Sequence, residues 1–130
     1  MMKAVHKYSG NGKYKICLDV TETEGHGLIC VLTGGELPHL GGVALASPGT
    51  ELHGSLLSSC DVWSVTIPGH KDTELAQMLA KKLCTATQEP VSVNAGVHVN
   101  GAQKEEVEQL CANSMKTVEL FLSEYLAQEH

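Results

Sequence analysis

The sequence contains no arginine: all nine of its cationic side chains are lysines, set against fifteen acidic residues, for a formal net charge of -6. Proteins that bind nucleic acid through the phosphate backbone carry a basic stripe, which this balance does not provide. Aromatic residues make up only 4% of the chain. They are scattered along it and form no platform on which bases stack. We therefore expect no nucleic-acid partner.

Long apolar runs are missing as well. The longest, LICVL and GGVALA, fall far short of the ~20 residues that cross a bilayer, and no apolar stretch behind the first lysines marks a signal peptide. The five cysteines include no CxxC pair, and four of them lie inside apolar runs, where cysteine acts as a small hydrophobic residue. These absences predict a cytoplasmic protein with reduced thiols and no membrane partner.

Residue periodicity indicates strands in the first half of the chain and helices mainly in the second. A helix is predicted over 72–87, and a longer one follows Asn100, which with Gln103 resembles a capping box. The intervening residues 47–60 are predicted to be a mobile connection. The predicted strands are 3–9, 14–22, 28–32, 43–46, 61–67 and 91–99. We expect residues 1–130 to form one α+β domain, a two-layer sandwich in which two helices cover one face of a mostly antiparallel sheet of about six strands.

The strand patterns also predict the character of the sheet face that points away from the helices. In strand 91–99 the valines are expected to face the helices and the alternate residues to face away. In the two preceding strands, the small residues are expected on that outer face. The residues assigned to the outer face are Gly42, Ala44, Ala46, Ser64, Thr66, Ser92, Asn94, Gly96 and His98. Such a face would let a planar ligand, or the sheet of another subunit, approach the backbone closely.

Three histidines, His39, His70 and His98, lie at or near predicted strand ends. If their strands are neighbours, the imidazoles converge, and three histidines with an open position would suit a catalytic Zn²⁺. No two of them have the local spacing of a zinc motif such as HExxH, so no metal site is predicted. A small enzyme that uses these histidines, with or without a metal, on a carboxylated or phosphorylated aromatic compound stays open as an alternative.

An anion site is better supported. In the segment PGHKD, residues 68–72, a strand ends and a helix begins, so backbone N–H groups are unpaired and the helix dipole favours negative charge. Lys71 is unfavourable for an isolated helix at this position. We therefore interpret His70 and Lys71 as ligand or partner contacts, and Asp72 as an acid that stabilises the helix start. The glycines at 34 and 35 either add backbone donors or permit a tight turn.

The sequence contains no motif that indicates nucleophilic catalysis. The serines at 47, 55, 58 and 59 lack the GxSxG pattern of a nucleophile elbow, and no cysteine stands beside an identifiable base. Glu36 lies close to His39 in sequence and is a candidate acid/base partner for it, although a loop glutamate usually faces solvent. No catalytic residue is predicted.

Five short motifs, in this order and spacing, resemble a small family of bacterial proteins, the gallate-decarboxylase subunit-D-like proteins. The motifs are Thr33-Gly34-Gly35, Pro38-His39-Leu40-Gly41, Val43-Ala44-Leu45-Ala46, Pro68-Gly69-His70-Lys71-Asp72 and Ala95-Gly96-Val97-His98-Val99. Members of that family are regarded as prenylated-flavin chaperones or accessory subunits. They accompany UbiD-type decarboxylases, which remove CO₂ from hydroxyaryl acids with prenylated FMN. The resemblance runs from about residue 27 to the C-terminal helix.

The resemblance implies a non-catalytic accessory protein of aromatic acid metabolism that binds prenylated FMN or FMN, or the decarboxylase that uses it. The sequence differs from the family pattern at Gly42, where alanine is expected, and at Asn100, where an aspartate is expected. A homo-oligomer formed through the outer sheet face, with or without flavin binding, is a further alternative. The cofactor-binding residues implied are Gly34, Gly35, His39, Gly69, His70, Lys71 and His98.

Overall fold

The computed structural model describes residues 1–49, 51–52, 55–56 and 60–128. The two helices are α1 (Asp72–Thr87) and α2 (Lys104–Tyr125). The strands are β1 (Lys3–Ser9), β2 (Ile16–Glu22), β3 (Leu28–Gly35), β4 (Gly42–Pro48), β5 (Glu51–Leu52), β6 (Ser55–Leu56), β7 (Cys60–Thr66) and β8 (Val91–His98). This is the predicted α+β architecture, with a six-stranded, mostly antiparallel sheet.

The last strand of the chain lies inside the sheet. The strand order is β1-β2-β3-β8-β4-β7, and the β3–β8 pair is the parallel one among antiparallel neighbours. Because β8 separates β3 from β4, the connection over residues 36–41 crosses the carboxyl end of β8. The end of β7 and the start of α1 lie at the same edge, since Thr66 pairs with Gly42. Three chain segments therefore meet there.

The core lies between one face of the sheet and the two helices. Helix α1 contacts β8, β4 and β7, and α2 contacts β1 and β2. Alternate residues of the strands are fully buried against them, as the period of two predicts. The largest buried side chains are Tyr125, Phe121, Ile16, Leu18, Leu28, Leu32, Leu79 and Leu83.

The predicted outer face is wrong for β4 and β7. Ala44 and Ala46 are fully buried beneath α1, and Ser64 accepts a hydrogen bond from Gln77 of α1 at 2.7 Å. The cause is the close approach of α1: a Cβ at Gly42 would lie 2.5 Å from the hydroxyl of Thr73. Only small residues fit between this strand and the helix, so the large ones point outward.

The outer face of the sheet therefore carries large apolar side chains. In β8 the prediction holds for Ser92 and Asn94, since Val91 and Val93 are buried and these alternate residues pair with the outward residues of β3 and β4. It is wrong for Gly96, which the His39 carbonyl covers, and for His98, which lines a cavity beside the two helices. Beside Ser92 and Asn94 on this face stand Leu45, 45% exposed, Trp63, 57% exposed, and Val65, 67% exposed. We call this surface the open face; its large residues are Ile29, Val31, Leu45, Trp63 and Val65.

Three further details differ from the sequence predictions. A 3-10 turn, Gly12–Tyr14, occupies the start of the predicted strand 14–22. The capping box of α2 is formed by Gln103 and Glu106, one turn later than predicted. Of the predicted mobile connection over 47–60, residues 50, 53–54 and 57–59 lie outside the described part of the chain; β5 and β6 pair as a small antiparallel hairpin.

Neither described helix is both long and apolar enough to span a bilayer.

Candidate functional site

A cavity of about 440 Å³ lies where the end of β8 meets the two helices. Its polar wall comes from the 36–41 connection, the β7–α1 loop and the end of β8. The polar wall residues used below are His39, Gly69, His70, Lys71, Asp72 and His98. The opposite wall is apolar and includes Leu75, Met78, Val107 and Leu110 of α1 and α2. The predicted convergence of three distant loops is therefore what the structure shows.

His39 lies between two hydrogen-bond acceptors. Its Nδ1 is 2.8 Å from the carbonyl oxygen of Leu37, and its Nε2 is 2.9 Å from Oδ2 of Asp72. A neutral imidazole has one N–H and satisfies one of these acceptors, whereas an imidazolium donates to both. The Leu37 carbonyl foremost, and then the Asp72 carboxylate, raise the pKa of His39, while burial of the ring opposes them. When protonated, the ring forms an ion pair with the carboxylate in the cavity wall.

Asp72 connects the three segments of the site. It is buried at the start of α1, where its Oδ1 accepts a hydrogen bond from the backbone N–H of Val97 at 2.9 Å. Its other oxygen faces His39 and lies 3.8 Å from Nδ1 of His70. Sequence reasoning treated Asp72 only as a helix-start charge. The single available signal was its position next to His70 and Lys71.

The other two predicted histidines also reach this site. The His70 ring centroid is 4.8 Å from that of His39, and the His98 centroid is 6.4 Å from it at a near-perpendicular angle. His98 donates from Nε2 to Oδ1 of Asn100 at 2.9 Å. His70 and His98 are exposed, so both present imidazole edges to solvent. The structure thus brings all three histidines together, with Lys71 beside them.

The predicted glycines divide into two groups. Gly69, with φ of +85°, lies in the cavity wall, and a side chain there would meet nothing within 4 Å. Gly34 and Gly35 are outside the residues that line the cavity. A Cβ at Gly34 would lie 2.5 Å from the carbonyl of Lys15, and one at Gly35 would collide with the carbonyl of His98. These two glycines serve strand packing at the end of β3.

Two glycines that sequence reasoning did not select hold His39 in place. The His39 carbonyl rests directly against Gly96 of β8, where a Cβ would collide with it, and a Cβ at Gly41 would collide with Oδ2 of Asp72. Glu36 is not an acid/base partner of His39, because its Oε1 accepts from the backbone N–H of Asn100 at 2.9 Å. Its own N–H donates to the carbonyl of His98 at 2.7 Å. Glu36 therefore fastens the connection to the end of β8.

The site offers two kinds of binding group. Ligand atoms of His39, His70 and Asp72 lie within 4.8 Å of one another, so a small movement of the side chains would bring all three within reach of one metal ion. The start of α1 has no side-chain cap, and uncapped backbone N–H groups at a helix start, with Lys71 beside them, are groups that bind anions. The described lining of the cavity thus includes both cationic and apolar side chains.

Comparison with known proteins agrees with this chemistry. The family model of the prenylated flavin chaperone LpdD-like domain matches residues 10–126. No curated protein sequence matches the chain. A chain in the crystal structure of a chaperone complex for yeast 20S proteasome assembly has a similar fold, with a TM-score of 0.56 and 14% identity over 94% of this chain and 93% of that one.

At that identity the solved structure shows a shared fold and nothing about the ligand. The family model covers most of the chain and includes every residue of the cavity wall. Its description, a chaperone, agrees with the expectation of an accessory protein that is not an enzyme. The chain therefore belongs to the prenylated flavin chaperone LpdD-like family.

Proposed function

We propose that the protein binds prenylated FMN, or FMN, in this cavity and acts in the cytoplasm as a non-catalytic chaperone for a UbiD-type decarboxylase of aromatic acids. One observation carries the proposal: a single cavity joins an uncapped helix start, Lys71 and three imidazoles to an apolar wall. A flavin nucleotide has the matching parts, an anionic phosphate and a flat apolar ring. The cavity volume of about 440 Å³ lies in the usual range for small-molecule sites.

The start of α1 is where the phosphate is proposed to bind. Lys71 is the N-cap residue, and no side chain there occupies the first backbone N–H groups. Helix N-termini bind phosphate through those groups and through the helix dipole. The buried Asp72 carboxylate would repel an anion, but its charge is balanced by His39. His70 and Lys71 are exposed beside it in the wall of the cavity.

The ring is proposed to lie against the apolar wall. Leu75 and Met78 of α1 and Val107 and Leu110 of α2 all line the cavity. Met78 and Val107 are about half exposed, so a flat ligand that covers them removes apolar surface from water, which is worth roughly 25 cal/mol for each Å². This apolar wall replaces the small-residue sheet face that the sequence suggested for the ring.

Titration of the purified protein with FMN and with prenylated FMN tests the proposal. We expect a saturable change in flavin absorbance or fluorescence that is lost in the double variant His70→Ala, Lys71→Ala. The double variant Lys81→Ala, Lys82→Ala removes two exposed lysines from the far end of the same helix and should bind as the wild type does. No saturable signal with either flavin, or equal binding by the two double variants, would overturn the proposal.

The decarboxylase partnership has its own test. We expect a co-expressed UbiD-type decarboxylase to contain less flavin when this protein is omitted or carries the His70→Ala, Lys71→Ala pair. Flavin content is read from the absorbance spectrum of the purified decarboxylase. A decarboxylase whose flavin content is the same in all three conditions would remove the partner from the proposal while leaving flavin binding to the titration.

A homo-oligomer is the second candidate, and the open face is the observation that favours it. Five large apolar residues are exposed there on β3, β4 and β7, with the smaller Ser92 and Asn94 of β8 between them, and monomeric proteins rarely expose large contiguous apolar patches. Among the described strands, β7 is also at an edge of the sheet. We assign the open face to contact with a second copy of this chain, which can coexist with flavin binding because the cavity lies at another part of the molecule.

A further inference from the structure

The His39, His70 and Asp72 side chains form a compact set of donors outside what flavin binding requires. Oδ2 of Asp72 lies 2.9 Å from Nε2 of His39 and 3.8 Å from Nδ1 of His70. Ligands at 2.0–2.2 Å from one metal ion stand roughly 3–3.5 Å apart. The Asp72–His39 distance is close to that spacing. The three donor atoms together are spread over as much as 4.8 Å, so His70, the exposed member, has to move toward the other two.

We propose that His39, His70 and Asp72 form a binding site for a first-row divalent metal ion. Two imidazoles and one carboxylate are a donor set used by Zn²⁺ and by Fe²⁺, and they leave coordination positions open. The site differs from the three-histidine arrangement considered from the sequence, because Asp72 takes the place of His98. The imidazole of His98 is turned to Asn100.

The hydrogen bonds around the donors support this assignment. Metal-bound histidines commonly donate their second ring N–H to a backbone carbonyl, which fixes the ring and the tautomer. His39 Nδ1 has such a partner in Leu37. With Nδ1–H donating, the Nε2 lone pair points at the Asp72 carboxylate, an arrangement that needs a cation between the two atoms. Either a proton or a metal ion meets that need.

Asp72 is held in the way that a ligand carboxylate is held. Its Oδ1 accepts from the N–H of Val97, so the carboxylate is fixed and Oδ2 is directed at the histidines. Glycine at position 41 keeps the space around Oδ2 and Nε2 clear, since a Cβ there would collide with the first and lie 3.0 Å from the second. Hydrogen bonds to Leu37 and Val97 thus orient the His39 and Asp72 donors, and glycine at position 41 leaves room beside their ligand atoms.

Charge indicates what the bound ion would do. One carboxylate and two neutral imidazoles leave a divalent ion with a net charge of about +1, beside Lys71 at the start of α1. The open coordination positions then suit an oxygen anion in the cavity. Use of those positions by a flavin phosphate rests on the function proposed above, whereas binding of the ion itself does not.

Metal titration without flavin tests the inference. Chelator-treated protein is titrated with Zn²⁺ by calorimetry and with Co²⁺ by visible absorbance. We expect one ion for each chain, with Co²⁺ d–d bands and without the thiolate charge-transfer band that any of the five cysteines would give. Asp72→Asn keeps an oxygen for the Val97 N–H and places an amide N–H opposite His39 Nε2. We expect it, and His70→Ala, to weaken Zn²⁺ binding at least about tenfold.

His6→Ala is the matched control, because His6 and Asp19 form an exposed imidazole–carboxylate pair. Although Cys17 lies beside Asp19, these residues do not form a three-donor group in the described part of the chain. That variant should bind Zn²⁺ as the wild type does. If Asp72→Asn does not fold, His70→Ala decides alone, since His70 is exposed. Absence of stoichiometric binding, a thiolate band, or unchanged affinity in His70→Ala would overturn the inference. Flavin titration in the presence of chelator keeps this outcome separate from the flavin proposal.

Discussion

The backbone N–H of Val97 donates to Oδ1 of Asp72 at 2.9 Å, which joins the end of β8 to the start of α1. We expect Asp72→Ala to lower the free energy of unfolding by about 1–3 kcal/mol, because it leaves this N–H without its acceptor. Asp72→Asn keeps an oxygen at the same place and should cost less. Urea unfolding followed by circular dichroism measures both. Equal losses in the two variants would show that the hydrogen bond to Val97 contributes little.

The contact between Gly96 and the His39 carbonyl predicts a second effect. A methyl group at position 96 would collide with that carbonyl. Gly96→Ala should therefore displace the 36–41 connection and destabilise the protein by about 1–3 kcal/mol, as overpacking usually does. It should also weaken flavin binding. Ser92→Ala, on the same face of the same strand, is the control and should leave both unchanged; a Gly96→Ala variant with wild-type stability and binding would contradict this account of the connection.

Cys60 of β7 and Cys84 of α1 have their sulfur atoms 2.7 Å apart. Burial raises the pKa of Cys84 to about 12, so little Cys84 thiolate exists at neutral pH, which should slow its oxidation in air. Diamide, which accepts the two electrons and two protons released, should join them in an intramolecular disulfide. Mass spectrometry should then show a loss of two hydrogens and one peptide containing both residues. The Cys60→Ser variant should show no such peptide, and its appearance there would refute the assignment.

Glu106 predicts how stability depends on pH. It accepts a hydrogen bond from the Tyr14 hydroxyl and pairs with Lys13 at 3.0 Å, and these contacts, with the capping-box bond to Gln103, lower its pKa below the ordinary value of 4.5. A lowered pKa means that the stabilisation is complete above pH 4.5 and is lost as the pH falls through the folded-state value. Thermal melts of wild type and Glu106→Gln should therefore differ above pH 4.5 and converge in acid. A difference in melting temperature between the two proteins that stays constant into acid would contradict this role of Glu106.

Trp63 is the single tryptophan and lies on the open face, 57% exposed. If that face joins two copies, its fluorescence maximum should move to shorter wavelength as the protein concentration rises. Light scattering over the same range should give the mass of a dimer, and Val65→Lys should return the protein to a monomer. A wild-type monomer at the highest concentration, with an unshifted spectrum, would exclude the open face as the contact.

Sequence periodicity predicted the elements well where a breaker and a pattern agree. Helix α1 was placed at 72–87, between Pro68-Gly69 and Pro90, and the structure has those bounds. The valines of β8 face the core as predicted, because strand 91–99 alternates clearly between apolar and polar residues. The α2 capping box was misplaced, since Asn100 and Gln103 offer the same local spacing as Gln103 and Glu106.

The orientation of β4 and β7 could not be obtained from the sequence. In β4 both sets of alternate residues are apolar, small ones at 42, 44 and 46 and larger ones at 43 and 45. Hydrophobicity does not decide which set is buried. The decision comes from how closely α1 packs, with the Thr73 hydroxyl over Gly42, and that closeness is a tertiary property.

For the site, the sequence predicted which histidines lie close together but not which residues position them. His39, His70 and His98 stood out as polar residues at strand ends. Asp72, Gly41 and Gly96 did not, because their importance lies in contacts with residues 25 or more positions away, or in space that a side chain would fill. Spacing along the chain carries no information about such contacts.

The insertion of β8 between β3 and β4 has a kinetic consequence. Until residues 91–98 have entered the sheet, the 36–41 connection has no Gly96 to rest on and Asp72 has no Val97 to bind. A ribosome that has made β1 to β7 and α1 has therefore produced five of the six strands of the sheet and no cavity. Such late, long-range pairing is slow, and the ability to take up a ligand should arise only after β8 has completed the sheet and α2 has packed beside it.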